Sequence, residues 1–274
     1  MRFRSLFKWI LAGLVLGIFI YGRYIEPDDI KITQVKIKTG FASPALSGKK
    51  IVHISDLHLS GSGQTEELIL SFIEKINPDL IFLTGDYIQW KRDNAPALDF
   101  FSRLRARHGV FAVMGDYDYS DSRKSCLFCH EQGSGNPTTR HRVVMLRNSS
   151  RTIYIGGQAL TIAGVDIKDD GGNLDETLSL AGQRNPVLVL SHSPLNFDRF
   201  PDESRIFMFS GDTHGGQIKV PKWLFGLFGY KKNLRYNQGL FTKGNKTLYV
   251  SSGIGTSHVR FRLFRPPEIT TIEF

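Results

Sequence analysis

Five short apolar segments of this chain end in aspartates or histidines, which are common ligands of divalent metal ions. The polar residues at these ends are Asp56 and His58, Asp86, Asp116, His192, and Asp212 and His214. Each apolar segment has the length of a buried strand, and open α/β sheets place their chemistry at the carboxyl ends of strands. A single Asp-x-His pair is a common accident, but five such ends in series predict a shared metal site.

The predicted site offers more ligands than one ion can use. Its carboxylates and imidazoles would suit two divalent ions that share a carboxylate. Glycines precede three of the ligands, at Gly85, Gly115 and Gly211, where a loop that turns sharply needs residues without a side chain. The sequence therefore predicts a two-metal centre.

The order and spacing of these residues resemble the calcineurin-like metallophosphoesterases from about Lys50 to the C-terminus. That family carries D-x-H, G-D, G-N-H-D, H and G-H-x-H in this order. The segment from Leu248 to Arg262 and the Pro-Pro-Glu-Ile-Thr that begins at Pro266 resemble a membrane-associated branch related to UDP-diacylglucosamine hydrolases. The resemblance implies an α/β fold, a four-layer α/β/β/α sandwich, and metal-dependent hydrolysis of a phosphodiester or pyrophosphate.

The resemblance also implies a role for each site residue. Asp56, His58 and His214 would hold the first metal, and Asp86 would bridge the two. The second metal would take Asp116, His192 and Asp212. Tyr117 and Asp118 occupy the positions at which the family carries residues of the catalytic motif.

Three of these positions depart from the family pattern. Asp116 replaces an asparagine, and Tyr117 and Asp212 replace histidines. The added carboxylates bring the formal charge of a two-metal site to about zero and favour Mn²⁺ or Mg²⁺, with Fe²⁺ and Zn²⁺ as alternatives. A phenol with a pKa near roughly 10 is a poor proton donor to an alkoxide, so Tyr117 favours substrates whose leaving group is itself a phosphate.

The elements that must position these residues follow from hydrophobic periodicity. Residues 50–55 and 79–84 are typical of buried strands, and Gln64 to Ile76 has the spacing of an amphipathic helix, so this part predicts a β-α-β unit. A helix at 95–107 and a strand at 109–114 repeat the pattern. A single metallophosphoesterase domain over residues 29–274 is expected, with an edge strand at 30–38.

The N-terminus predicts a membrane anchor over residues 1–28. A basic flank precedes an uninterrupted apolar run from Trp9 to Tyr21, and no A-x-A cleavage site directly follows it, which favours an uncleaved anchor over a signal peptide. We expect a single span in a bacterial-type inner membrane. The basic flank and the acidic residues from Glu26 to Asp29 favour a periplasmic or external domain.

The charge distribution favours a lipid or phosphorylated partner. The formal net charge is +9, and residues 219–265 carry ten Lys and Arg without any Asp or Glu. Aromatic residues between the lysines of 221–235 indicate a segment that lies at the membrane interface. We expect Arg260 and Arg262 to contact substrate phosphate. Nucleic acid is an unlikely partner, and the oligomeric state is not predicted.

An insertion at residues 119–142 contains both cysteines. Cys126, Cys129 and His130 form a C-x-x-C-H pattern, and His141 follows. Three interpretations stay open: a lid with a disulfide or free thiols, a closed zinc site, or a haem attachment site.

The sequence thus predicts a membrane-anchored phosphohydrolase that acts on a lipid-linked or nucleotide-linked phosphodiester or pyrophosphate. Cleavage of a lipid A precursor is the most specific candidate, through the resemblance to UDP-diacylglucosamine hydrolases. The alternatives are a catalytically weak relative that binds a phospholipid or partner, and a haem-bearing redox protein.

Overall fold

The computed structural model describes residues 2–37, 43–59, 61, 63–90, 93–119, 128, 141–167, 174–180, 186–219, 235–257 and 259–274. The strands in this part of the chain are β1 (Lys31–Lys36), β2 (Lys50–Ile54), β3 (Leu80–Leu83), β4 (Val110–Ala112), β5 (Val144–Met145), β6 (Ser149–Ile155), β7 (Gln158–Val165), β8 (Val187–Ser191), β9 (Ile206–Ser210), β10 (Gly239–Lys243), β11 (Lys246–Val250) and β12 (Glu268–Glu273). The helices are α1 (Arg2–Ile20), α2 (Gln64–Ile76), α3 (Ala95–Arg103) and α4 (Leu174–Ser179).

The strands form two six-stranded sheets. The first sheet has the order β1-β12-β2-β3-β4-β5, and the second has the order β10-β11-β9-β8-β7-β6. Strands β2, β3 and β4 are parallel, as are β7, β8, β9 and β11. Parallel strands end at the same edge, so each sheet brings several loops together there.

The predicted β-α-β unit is present as β2, α2 and β3. Helix α2 buries Ile69 and Ile73 against the first sheet. It ends at Asn77, which has a left-handed φ of 48°, and the following Pro78 cannot continue the helix. The bounds of α2 match the predicted helix, whereas α3 ends four residues before the predicted 107.

Alternation along the strands divides the core into three apolar layers. In β2, Val52 and Ile54 face α2 and α3, whereas Ile51 faces the second sheet. A third layer covers the other face of the second sheet, where Val187 and Val189 pack with Phe197. Partly buried Leu178 of α4 packs there. These layers confirm the predicted α/β/β/α arrangement.

Helix α1 stands apart from this core. From Ser5 to Ile20 its residues are exposed, and within the described residues it is the one helix long and apolar enough to cross a membrane. The chain then continues in irregular helical turns at Tyr21–Ile25 and Glu26–Asp28, where Gly22 and Glu26 are buried against the domain. The predicted boundary between residues 28 and 29 therefore runs through a packed contact.

Candidate metal centre

The seven predicted ligands lie in loops at the carboxyl ends of strands. Asp56 and His58 follow β2, Asp86 follows β3, and Asp116 follows β4 in the first sheet. In the second sheet, His192 follows β8, and Asp212 and His214 follow β9.

The backbone at these ligands is unusually strained. Nine described residues other than glycine have a positive φ, and five of them are predicted ligands. The five are Asp56 (50°), His58 (45°), Asp86 (56°), Asp212 (71°) and His214 (50°). Such conformations cost free energy and cluster at functional sites, because the surrounding fold must hold them in place. The strain therefore marks the same loops as the sequence pattern.

Four of the ligands form a buried cluster. Asp56, His58, Asp86 and His214 each offer an atom within 4.8 Å of the others, and all four are buried. The Nε2 atoms of His58 and His214 lie 3.2 Å apart. The His58 Nε2 is 3.5 Å from Asp86 Oδ2, and the His214 Nε2 is 3.8 Å from Asp56 Oδ1. The donor atoms thus converge on one point.

His192 connects this cluster to Asp212. Its Nε2 lies 3.7 Å from Asp86 Oδ1 and 3.9 Å from Asp212 Oδ1. Its Nδ1 is 2.7 Å from the Thr84 carbonyl oxygen, to which it donates. This bond fixes the ring so that Nε2 faces the two carboxylates. Asp116 is exposed at the rim.

Charges in the site interact strongly. Burial opposes a charge on His192, but the carboxylates of Asp86, Asp212 and Asp56 together raise its pKa to about 10. Burial raises the pKa of Asp56 to about 6 and that of Asp86 well above its ordinary value. Burial also raises the pKa of Asp212; His192 lowers it, and the charge of Asp116 raises it further.

The arrangement fits a divalent cation. Within the described part of the chain, the ion pairs of Asp56 and Asp86 join them to histidines and not to Lys or Arg. Buried carboxylates are costly without a positive partner, and oxygen and imidazole donors suit divalent metals. His192, Asp212 and Asp116 extend the set beside Asp86, where a second ion would lie. Which residue binds which ion stays a prediction.

Asp118 lies behind the cluster. Its carboxylate is fully buried and accepts hydrogen bonds from the backbone N–H groups of Asp86 (2.7 Å), Tyr87 (2.7 Å) and Gly115 (2.8 Å). The bonds from Asp86 and Tyr87 tie the loop after β3 to the loop after β4, and the bond from Gly115 closes the turn within the latter. Asp118 therefore positions Asp86 through its backbone.

Tyr117 lies over the mouth of the cluster. Its ring meets the ring of His58 edge-on at 5.1 Å and that of Trp90 at 5.7 Å. Its backbone N–H donates to Asp86 Oδ1 at 3.0 Å. Burial, assisted by the charges of Asp86 and Asp116, raises the pKa of its phenol. The side chain is thus placed beside the ligands but is a weaker acid than a free tyrosine.

A glycine loop that we did not predict as functional supports Asp56 and His58. Gly253 has a φ of 66°, and a Cβ there would meet the Asp56 side chain at 2.7 Å. Gly255 donates its N–H to the Asp56 carbonyl at 2.6 Å and leaves no room for a Cβ beside His58. The Gly-x-Gly spacing after an apolar strand was the signal in the sequence for this close approach.

Arg262 anchors that loop from behind. Its buried guanidinium donates to the carbonyls of Ser252 (2.9 Å), Gly253 (3.1 Å) and Gly255 (2.6 Å). Arg260 is exposed and donates to the Arg23 carbonyl and the Asp28 carboxylate. These contacts do not support the expected binding of substrate phosphate by either arginine.

The cysteine insertion contributes little to the described structure. Cys126, Cys129 and His130 lie outside the described residues, as do residues 221–234 of the interfacial segment predicted at 221–235. His141 is buried, its Nδ1 accepts from the Val143 N–H at 3.2 Å, and its Nε2 donates to the Phe128 carbonyl at 3.1 Å. With both ring nitrogens engaged, His141 has a structural position that does not support zinc or haem ligation.

Two stacked sheets with a buried Asp–His cluster at their carboxyl ends define the class of metal-dependent hydrolases that act on phosphoesters. The model of the calcineurin-like phosphoesterase family matches residues 49–216. The chain belongs to this family and is a metallophosphoesterase, with a cluster suited to divalent metals.

Relatives match along nearly the whole chain. The uncharacterized metallophosphoesterase YkoQ of Bacillus subtilis is 30% identical over 272 residues, which cover 95% of this chain and 96% of that protein. The UDP-2,3-diacylglucosamine pyrophosphatase LpxG of Chlamydia muridarum is 28% identical over 320 residues, covering 95% and 93%. The phosphodiesterase YaeI of Escherichia coli is 29% identical over 263 residues, covering 93% and 92%.

Proposed function

We propose that this chain is a membrane-anchored, two-metal phosphohydrolase that cleaves a phosphodiester or pyrophosphate bond in a lipid-linked or nucleotide-linked substrate. The observation that carries the proposal is the buried convergence of Asp56, His58, Asp86 and His214 on one point, with His192 and Asp212 beside them. Mn²⁺ suits the carboxylate-rich second position best, with Mg²⁺, Fe²⁺ and Zn²⁺ as alternatives.

The residues divide into holding and positioning roles. Asp56, His58, Asp86 and His214 would hold one ion, and Asp86, His192, Asp212 and Asp116 the other. Bound divalent metals supply Lewis-acid polarisation of a phosphoryl oxygen and make water acidic enough to act as a nucleophile near neutral pH. The Thr84 carbonyl orients His192, and Asp118 fixes the backbone of Asp86, so both ligands are set before substrate arrives.

Tyr117 bears on the choice of leaving group. Its phenol can donate a hydrogen bond to a substrate oxygen, but its raised pKa makes full proton transfer to an alkoxide unfavourable. A leaving phosphate needs little protonation near neutral pH. This chemistry favours pyrophosphate-linked substrates, in line with the activity for which the LpxG relatives are named.

Lipid linkage is supported by α1 and by the relatives. A helix suited to a membrane precedes the domain, and LpxG is named for a substrate that carries two acyl chains. We propose a bacterial inner membrane as the location, with the domain on the periplasmic or external side. Hydrolysis of a UDP-diacylglucosamine-like lipid A precursor is the most specific form of the proposal.

The test uses the full-length protein in detergent. Bound metals are measured by mass spectrometry, and hydrolysis of bis(p-nitrophenyl) phosphate is followed with added Mn²⁺. We expect Asp86→Asn to lower both metal content and turnover, the latter by about 10²-fold or more. Asp79→Asn is the matched control, because Asp79 is a buried carboxylate at the opposite end of β3 that pairs with Lys49.

Each outcome separates the candidates. Turnover that needs metal and Asp86 supports the two-metal enzyme and directs the search to UDP-diacylglucosamine and other lipid pyrophosphates. Bound metal without turnover on any of these diesters favours a catalytically weak relative that binds a phosphorylated ligand, which the replacements at Asp116, Tyr117 and Asp212 would explain. A Soret band in the visible spectrum would support the haem alternative.

A further inference from the structure

The chain that leaves α1 is bound tightly to a loop at residues 259–265. The carbonyl of Gly22 accepts from the Arg262 N–H at 2.9 Å, and a Cβ on Gly22 would meet the Phe261 ring at 2.6 Å. The buried carboxylate of Glu26 accepts from the N–H groups of Phe264 (2.7 Å) and Arg265 (2.5 Å). The connection between helix and domain is thus a packed joint and not a free tether.

The solvent side of this joint carries exposed apolar side chains beside the exposed ion pair of Arg260 and Asp28. Val259 and Phe264 of the loop are each 61% exposed. Tyr24 (60%) and Ile25 (53%) are exposed in the turn after the helix, whose neighbouring residues Arg23 and Glu26 bond to the same loop. We call these four side chains the juxtamembrane surface. Phe264 has a φ of 56°, which is costly for a bulky residue, and its N–H is held by Glu26. The fold therefore maintains a strained backbone at a residue whose aromatic ring faces solvent.

The juxtamembrane surface is continuous with α1. The ring of Phe19 in α1 lies 6.1 Å from that of Phe261 in the loop, and the Arg23 guanidinium lies over the Tyr24 ring at 5.1 Å. Aromatic rings mixed with arginines at the end of an apolar helix are typical of the boundary between hydrocarbon and headgroups. The surface is therefore suited in composition to the boundary of a bilayer that α1 crosses.

The opposite side of the same loop supports the metal ligands. Leu263 donates its N–H to the Gln217 carbonyl and accepts from the Lys219 N–H, both at 2.8 Å, in the segment that follows His214. Arg262 holds the glycine loop that packs on Asp56 and His58. The loop at 259–265 thus contacts α1 and the turn after it. It also contacts the segment after His214 and the glycine loop that supports Asp56 and His58.

We infer that Val259 and Phe264 enter the headgroup region of the bilayer that α1 crosses, and that this second contact holds the metal centre against the membrane for an amphiphilic phosphate ester. The inference rests on the proposed function for the membrane anchor and the chemistry. It adds a specific lipid-contacting loop, which the same backbone joins to the loops that carry the metal ligands.

Spin labelling of the full-length chain tests the contact. Single cysteines replace Phe264, Val259 or the control Tyr154, which is 72% exposed on β6, in a background with Cys126→Ser and Cys129→Ser. The proteins are placed in phosphatidylcholine and phosphatidylglycerol vesicles, and melting temperatures confirm that each variant is folded. We expect spin labels at 259 and 264 to collide more often with oxygen, which enters the bilayer, than with a water-soluble nickel chelate. A label at 154 should show the reverse.

Two results would overturn the inference. One is nickel accessibility at 259 and 264 as high as at 154. The other is dipolar broadening at 264 that disappears on dilution with unlabelled protein, without an oxygen preference, which would assign the surface to a second copy of the chain.

Kinetics separates this inference from the proposed function. For Phe264→Asn with Val259→Ser, we expect the ratio of kcat/KM on an amphiphilic diester in vesicles to that on bis(p-nitrophenyl) phosphate to fall by about ten-fold, because the apolar side chains no longer enter the interface. An unchanged ratio would count against a role of the contact in substrate access. A wild-type protein that hydrolyses neither substrate would instead contradict the proposed function. The labelling result would still decide the membrane contact.

Discussion

The carboxylate of Asp118 accepts a hydrogen bond from the backbone N–H of Asp86 at 2.7 Å, so one aspartate shapes the loop that presents another to the metal centre. The same carboxylate accepts from Tyr87 and Gly115, and a Cβ on Gly115 would collide with the Asp86 side chain. The two loops can therefore approach only because the loop after β4 lacks a side chain at Gly115 and holds the loop after β3 through two charge-assisted bonds, from Asp86 and Tyr87. Asp118 acts at a distance from the donor atoms.

Replacement of Asp118 by asparagine tests this role. In the wild type, both carboxylate oxygens of Asp118 accept from backbone N–H groups. The amide of asparagine would place its own N–H group opposite at least one of these donors, and that hydrogen bond would be lost. We expect metal affinity to fall by about 10–100-fold, as for other residues that orient ligands. Titration with Mn²⁺ measures the affinity. Asp166→Asn is the control, since Asp166 is a buried carboxylate bonded to Tyr119 and Arg147; an equal loss of affinity there would refute a specific role for Asp118.

The phenol of Tyr117 predicts a dependence on the leaving group. Because Tyr117 is a poor proton donor, we expect Tyr117→His to raise kcat for alkyl phosphodiesters by about 10²-fold, with little change for p-nitrophenyl esters, whose leaving group needs no proton. A series of diesters with leaving groups of increasing pKa measures this effect. Tyr117→Phe should make the dependence of kcat on the pKa of the leaving group only slightly steeper. Parallel dependences for the tyrosine and histidine enzymes would exclude proton donation from this position.

Much of the fold followed from the sequence because burial imposes simple patterns. The apolar runs at β2 and β3 are short, buried on both faces and followed by polar loops, so their positions were predicted within one or two residues. Strand β10 was not predicted. It is a partly exposed edge strand beside β11, and its apolar residues Leu240 and Phe241 are adjacent, so apolar and polar residues do not alternate along it.

The site was predictable where the residue type itself carries the chemistry. Asp56 and His214 are 158 positions apart, yet the strand-end pattern was enough to place them together. Arg262 was misjudged because a basic residue near an anionic substrate site and a basic residue that binds carbonyls look the same in a sequence. Burial of Glu26 was equally invisible, because its partners are backbone N–H groups more than two hundred residues away.

Because the guanidinium of Arg262 is buried, we expect its replacement to lower the free energy of unfolding much more than replacement of Arg260 in the same loop. Lysine at 262 cannot reach all the carbonyls that the planar guanidinium contacts, which leaves buried acceptors unpaired. We expect Arg262→Lys to lower the free energy of unfolding by about 2–4 kcal/mol. Arg260→Lys should cost less than about 1 kcal/mol, because its ion pair with Asp28 is exposed. Denaturant titration in detergent compares the two variants. Equal losses of the free energy of unfolding would contradict the role of Arg262 in holding the glycine loop.

His53 is buried between the two sheets. Its Nε2 donates to Thr84 Oγ1 at 2.8 Å, and the Thr84 hydroxyl in turn donates to Ser55. Its Nδ1 is buried and has no hydrogen-bond partner among the described residues, so a second proton on the ring would have no acceptor. Burial lowers the pKa of His53 from 6.5 to about 3.

The unfolded chain therefore binds a proton on residue 53 between pH 6.5 and about 3, where the folded protein does not. The stability that comes from burying a neutral His53 is fully present above pH 6.5, the pKa of the residue in the unfolded chain. It is lost as the pH falls towards about 3, its pKa in the folded protein. The shift corresponds to about 3–5 kcal/mol. We expect His53→Gln, which keeps a donor for Thr84, to flatten the dependence of the melting temperature on pH in this range. Parallel curves for His53→Gln and the wild type would mean that His53 is charged in the folded protein.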